Sequence, residues 1–189
     1  MKINLEKQIN ENIKTHLSLL KLSDEINKAI KVITKKLKNG GKLLLCGNGG
    51  SAADAQHLAA EFLVRLRPNV NRRAIAAITL AQDTSTITAC GKDYSFDDIF
   101  LRTLQAIGTK KDVLICISTS GNSKNILKVL KEAKRKNIFA IGFLGNNGGK
   151  AKKNCDIKLV VNSNITARIQ ECHIFLGHFI LQKVEDLII

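Results

Sequence analysis

The sequence predicts an α/β domain: a mostly parallel, five-stranded sheet flanked by helices and doubly wound. Two N-terminal helices precede the first strand and one long C-terminal helix closes the chain. Three observations carry this. Short apolar runs (Leu43-Leu44-Leu45, Val113 to Ile117, Ile138 to Phe143) alternate with helical stretches, the order that gives parallel pairing through crossovers. A unit of strand, small polar loop and helix occurs twice, over 43–61 and over 113–130. Of 189 residues, 44% are hydrophobic, one is proline and none is tryptophan, which suits a globular chain rather than a loop-rich all-β or disordered one.

Residues 3–20 place apolar side chains at 5, 9, 13, 17 and 20, a helical period. After the capping signal Ser23-Asp24, residues 24–38 continue with 26, 30, 33 and 37 apolar, and Asn39-Gly40-Gly41 ends that helix. These two helices form an arm, residues 1–40, that either covers the sheet or pairs with another subunit. An α/β core over 41–189 completes a single domain. Strand 42–46 leads through Gly-Asn-Gly-Gly into a helix over 51–66, with Ser51 as its N-cap. A second strand over 74–78 follows the basic turn Arg65 to Arg73. Short helices at 81–91 and 96–107 precede strand 112–117. The loop Ser118 to Ser123, helix 123–137, strand 138–143, a Gly/Asn turn at 145–149 and strand 156–161 follow. One long helix, 165–187, ends the pattern.

The five cysteines (46, 90, 116, 155, 172) are odd in number and lack close spacing, so neither a disulfide framework nor a zinc knuckle is expected. Cys46 and Cys116 fall at strand ends and read as small core residues. No apolar run approaches the roughly 20 residues of a membrane span. Met1 to Glu6 lacks the apolar core of a signal peptide, so a cytoplasmic protein is expected. The formal net charge is +14. The lysines spread over several helices, and those at 124, 128, 131 and 134 repeat at helical spacing. That favours solvated helix faces over a nucleic-acid surface.

Both small polar loops should lie at the carboxyl edge of the sheet, where open α/β folds bind ligands. The loop 118–123 offers four hydroxyls and unhindered backbone N–H groups at a helix start, which suits a phosphate. It is not a Walker loop, and the first loop lacks the third glycine of a dinucleotide fingerprint. Along the helix after that first loop, Asp54, His57 and Glu61 fall on one stripe. His57 and Glu61, four residues apart, suit a divalent metal or an acid/base pair. Asp54 either orients the His57 ring or favours the helix N-terminus. In the last helix the polar candidates are Gln170, Glu171, His173 and His178. Gln170 and His178 stand about 12 Å apart along a straight helix and point about 80° apart. If both serve one site, a neighbouring subunit should supply one of them.

Gly47 to His57, then Glu61, then Ser118 to Ser123, then Ala167-Arg168-Ile169-Gln170-Glu171, then His178 together resemble the phosphoheptose isomerases of the sugar isomerase (SIS) fold family. The resemblance runs from the first helices to the last. It implies conversion of sedoheptulose 7-phosphate to D-glycero-D-manno-heptose 7-phosphate, feeding bacterial surface-polysaccharide synthesis (lipopolysaccharide or capsule). It also implies a homotetramer with active sites between subunits. Substrate contacts carry over to Asn48, Gly49, Gly50, Ser51, Glu61, Asp93, Ser118, Thr119, Ser120, Ser123 and Gln170. Zinc contacts carry over to His57, Glu61, Gln170 and His178.

The family has Asn-Asp where this chain has Lys92-Asp93, so Lys92 either meets a sugar hydroxyl or turns outward. On this reading the reaction runs through an enediol, with Glu61 as base at carbon and His178 as its acid/base partner. The 118–123 loop holds the phosphate, the Gly47–Ser51 turn holds the sugar, and zinc polarises the carbonyl. A carboxylate bound tightly to zinc is a poor base. Either Glu61 binds the metal weakly, or the metal is structural or inhibitory in part. Related SIS proteins without catalysis suggest the alternative: an adaptor for the bacterial replication initiator, or a sugar-phosphate-binding regulator. The intact acid/base set favours the enzyme.

Overall fold

The computed structural model describes residues 4–189; Met1 to Ile3, including the start of the helix expected at 3–20, lie outside the described residues. Five strands, β1 (Leu43–Gly47), β2 (Ala77–Thr79), β3 (Val113–Ser118), β4 (Phe139–Leu144) and β5 (Ile157–Val160), form one sheet in the order β2-β1-β3-β4-β5. Every pairing is parallel. In this doubly wound order the direction of winding reverses between β1 and β3, and the crevice at their carboxyl ends is where such sheets take ligands.

Among the described residues seven α-helices surround the sheet: α1 (Leu5–Ser18), α2 (Ser23–Lys38), α3 (Gly50–Ala60), α4 (Thr84–Asp93), α5 (Ile99–Ile107), α6 (Lys124–Arg135) and α7 (Thr166–Ile188). Strand side chains alternate between two cores, as a period of two requires. Leu43, Leu45, Ile115, Ile117, Ile141 and Phe143 pack against α2, α3 and α7. Leu44, Cys46, Leu114, Cys116 and Ala140 face the opposite core with α5 and α6. Cys46 and Cys116 are the small core residues expected, paired across β1 and β3 with sulfurs 3.4 Å apart and no disulfide.

Four local expectations are corrected. The second strand, expected at 74–78, is the three-residue edge strand β2. The chain before it is held elsewhere, because Ile75 N–H bonds the Phe62 carbonyl. Helix α3 begins at Gly50, capped by Gly49 rather than Ser51; Gly49 has φ +57 and ψ −122, a conformation open to glycine. Nor does α3 continue as an α-helix to 66: it widens into a π-type turn over Glu61–Arg65. The helix expected at 81–91 starts later, at Thr84, where the Asp83 carboxylate accepts from Thr86 N–H.

The two helices of the arm differ. Helix α1 turns polar residues inward: Asn12 donates to Glu171 of α7 at 2.6 Å, and Arg168 donates to the Gln8 carbonyl at 2.9 Å. Its apolar stripe, Leu5, Ile9, Ile13 and Leu17, faces outward with Leu20, each about half exposed or more. Helix α2 instead buries Ile26, Ala29, Ile30 and Ile33 against the sheet.

Candidate active site

Helices α3 and α7 run side by side, and that contact assembles the chemistry. Gly177 of α7 faces Leu58 of α3; a Cβ there would sit 2.5 Å from Leu58 Cδ1, so the helices touch where glycine leaves room. The next residue, His178, therefore reaches His57: their Nε2 atoms are 2.8 Å apart, with the rings edge-on at 80°. Glu61, one turn after His57, places Oε1 3.3 Å from the same nitrogen. The three donor atoms lie within 4.8 Å of one another.

Burial, and then the neighbouring His57, push the His178 pKa below the ordinary imidazole value, while Glu61 pulls the other way. That shift favours the neutral imidazole, which can accept a proton at one nitrogen and donate at the other. Asp54 does not orient the His57 ring. Its Oδ2 is buried without a hydrogen-bond partner, and burial raises its pKa against the opposing pull of His57. Its place in the first turns of α3 leaves the helix-terminus role.

The 118–123 loop follows β3 at the same edge of the sheet. Ser118 Oγ accepts from Gly121 N–H at 3.1 Å and Ser120 Oγ accepts from Asn122 N–H at 3.1 Å, so each hydroxyl keeps its proton free to donate. Gly121, at φ +64, lies against the Gly148 backbone. The 145–150 turn braces the loop from outside: Asn146 Nδ2 donates to the Thr119 carbonyl and Lys150 N–H to Asn122 Oδ1. Ser123 caps α6, whose positive end faces the loop.

The two loops are joined by residues the sequence did not single out together. Asn48 and Asn125 exchange amide hydrogen bonds of 2.9 and 2.8 Å, tying the turn after β1 to the first turn of α6. Asn125 is 2% exposed. The available signal was a polar residue on the face that also carries Ile126, Val129 and Ala133.

The other expected residues divide. Gly49 and Gly50 line the turn, and Ser51 is buried behind it. Gln170 lies against Gly50, where a Cβ would meet its Nε2 at 2.5 Å. Gln170 and His178 are therefore split along α3, one at its start and one two turns on. His178 meets His57 and Glu61 within one chain, without a neighbouring subunit. Asp93 ends α4 in an exposed position beside Lys92, which turns outward and is 87% exposed. Glu171 bonds Asn12 and Arg168. His173 is fully buried, and burial drives its pKa down to about 4 against the smaller opposing pull of the Leu144 backbone.

The residues fit a zinc ion. Two imidazoles and a carboxylate converging on one point are a donor set zinc takes, and three protein ligands leave a position for substrate. His57 and His178 share a hydrogen bond at 2.8 Å, so an ion would have to replace that proton.

A strand–loop–helix pair over a switch point, with an acid/base cluster beside it, defines a sugar-phosphate site of the SIS type. The SIS domain model matches residues 8–145. The chain is 48% identical over 185 residues to phosphoheptose isomerase 1 of Campylobacter jejuni, covering 97% of this chain and 98% of that one. It is 46% identical over 188 residues to a phosphoheptose isomerase of Clostridium acetobutylicum, covering 98% and 95%. Among solved structures, phosphoheptose isomerase from Neisseria gonorrhoeae superposes with a TM-score of 0.89 at 39% identity, covering 96% of this chain and 97% of that one. The chain belongs to the phosphoheptose isomerase family of SIS domain proteins.

Proposed function

We propose that this chain is a phosphosugar isomerase interconverting sedoheptulose 7-phosphate and D-glycero-D-manno-heptose 7-phosphate, a step toward bacterial surface heptose. The observation that carries it is the convergence of His57, Glu61 and His178 two turns along the helix that leaves the Gly47–Ser51 turn. The names and near-complete coverage of its relatives support the same activity.

In the ketose-to-aldose direction Glu61 takes a proton from C1, and the oxygen at C2 gains one from His178, giving the enediol. His178 then takes the O1 proton and Glu61 returns its proton to C2. A neutral imidazole suits both transfers, because it is donor and acceptor at once. The 118–123 hydroxyls and the start of α6 hold the phosphate away from the reacting end, and the 47–51 turn holds the sugar. Zinc, held by His57, Glu61 and His178, would polarise the carbonyl when bound, and Gln170, two turns away along α3, would join it only from a neighbouring subunit.

The enzyme works as a homotetramer with sites between subunits; the outward apolar stripe of α1 and exposed Phe175 and Phe179 of α7 support this. Among the described residues no helix is long and apolar enough to cross a membrane. The proposed reaction places the enzyme in the cytoplasm, with the lysines as solvated faces.

The purified chain mixed with sedoheptulose 7-phosphate should produce an aldose by NMR, and Glu61→Gln should bind substrate without turning it over. No conversion with or without added zinc would refute the isomerase, and wild-type-like turnover by Glu61→Gln would refute its base.

A further inference from the structure

We propose that Arg72 is a positioning residue for Glu61: its guanidinium fixes the π-type turn that carries the base, and Glu185 at the end of α7 fixes the guanidinium. The inference rests on the reading of Glu61 as the base. Arg72 Nη2 donates to the Glu61 carbonyl at 2.8 Å, and Nη1 donates to the Phe62 and Arg73 carbonyls at 3.0 Å. Its Nε donates to Glu185 Oε1. The Arg72 side chain is 4% exposed and that of Glu185 is 0% exposed. Arg67 Nε donates to the other Glu185 oxygen at 2.7 Å, and Arg67 Nη2 meets Asp186 at 2.6 Å. Two cations thus face two anions, and the buried carboxylate is doubly paired, as burial requires.

Two features make this more than a staple. The first is where the helix widens. The π-type turn begins at Glu61, and widening the ladder takes its carbonyls off their regular i+4 partners. Arg72 supplies a donor to the first two of them, so the backbone from which the Glu61 side chain leaves is held by a planar, rigid fork. The second is where Glu185 sits. It is seven residues after His178, two turns along the same face of α7. The link from Glu61 carbonyl to Arg72 to Glu185 therefore sets α7 against the turn. Base and acid/base partner are registered to one another through a buried ion pair. Their side chains, which must move with substrate, do not have to do it.

Arg67 provides the contrast. It shares Glu185 with Arg72 but reaches acids, not the carbonyls of the turn. The test compares Arg72→Lys with Arg67→Gln in the full chain. Arg72→Lys keeps the charge yet cannot bridge both carbonyls and the carboxylate. Its kcat should fall about 10- to 100-fold with KM within about threefold, because the phosphate loops are elsewhere. Amide hydrogen exchange over 62–66 should speed up at least about tenfold, with β3 and α6 unchanged. Arg67→Gln should lower the unfolding temperature while leaving kcat and the exchange of the turn near wild type.

If Arg72→Lys does not fold, Glu185→Gln should give both signatures in smaller measure. Arg72→Lys with wild-type kcat, or with unaltered exchange over 62–66, overturns the proposal whatever its stability. Equal kcat losses in Arg72→Lys and Arg67→Gln overturn it too. If the wild type itself shows no turnover, the isomerase reading fails separately, and the exchange of the turn still decides whether Arg72 holds it.

Discussion

Gly177→Ala is the smallest change that should separate the two halves of the site. The added methyl would lie 2.5 and 2.6 Å from the Leu58 methyl carbons and 3.1 Å from its Cγ. Ordinary carbon contacts are about 3.5–4.0 Å, so roughly 1 Å of relief is needed. Leu58 cannot supply it by swinging away, since it is 1% exposed in the core formed with Phe62 and Leu176. Helix α7 must therefore move off α3, and the adjacent residue is His178. Opening its 2.8 Å contact with His57 by about 1 Å takes the pair past hydrogen-bond range. Alanine gains about 0.5–1 kcal/mol in a helix interior, against about 1–3 kcal/mol for overpacking. The net change is a loss of about 0–2.5 kcal/mol.

Turnover should suffer far more, falling on the order of 100-fold for a misplacement of about 1 Å, while KM changes little. Thermal unfolding and NMR-monitored isomerisation read the two effects. Leu58→Ala in the same chain makes room for the methyl, so the double variant should recover kcat at the cost of a core cavity. A Gly177→Ala enzyme with kcat within about threefold of wild type and a higher unfolding temperature would show that helix propensity governs this position. The packing argument would then be wrong.

Two further outcomes follow, one from burial and one from exposure. His173 is neutral in the fold with a pKa of about 4, against an ordinary value of 6.5, so the unfolded chain binds its proton first as pH falls. Stability should therefore drop between about pH 6.5 and 4, by up to about 3 kcal/mol from this group, and then level off. His173→Leu should flatten that limb and raise stability at pH 5, as measured by urea unfolding; an unchanged pH dependence would refute the assignment. Ile13→Glu, on the outward stripe of α1, should lower the oligomeric state in sedimentation while leaving far-UV circular dichroism intact. An unaltered assembly would remove α1 from the interface.

The sheet was legible because each strand is a short apolar run after a helix with clear end signals. The runs at 43–45, 113–117 and 138–143 lie in the core on both faces, so continuous hydrophobicity marked them well. The edge strand was not placed as well. Ala74 to Ile78 has strand composition, but the backbone of Ile75 is claimed by Phe62, and pairing starts two residues later. The π-type turn was invisible for a related reason. Apolar spacing reports which face of a helix is buried, and widening by one residue at Glu61 leaves no mark in spacing over so short a stretch.

The arm shows what spacing leaves open. Its apolar stripe at 5, 9, 13 and 17 predicts a helix correctly but not the direction it faces. The polar side, with Asn12 and His16, lies on α7, where Glu171 and Phe175 offer a hydrogen-bond acceptor and an aromatic ring. A sequence period states that one face differs from the other. It does not state which face meets its own chain.

The same limit governs the site. His57 and Glu61 are neighbours on one helix, so their spacing alone puts them together. His178 joins them through a contact 121 residues away in sequence, set by a glycine against a leucine. Arg72 and Glu185 lie further out again, as a basic turn and a terminal acid whose 113-residue separation hides a buried pair. The chemistry-bearing side chains could be named from local spacing because catalysis needs particular residue types. The residues that hold them in register could not, because any buried ion pair or close-packed glycine would serve, and only the fold says where these ones meet. Gly177, Arg72 and Glu185 are therefore the positions where a substitution should alter the reaction without removing any reacting group.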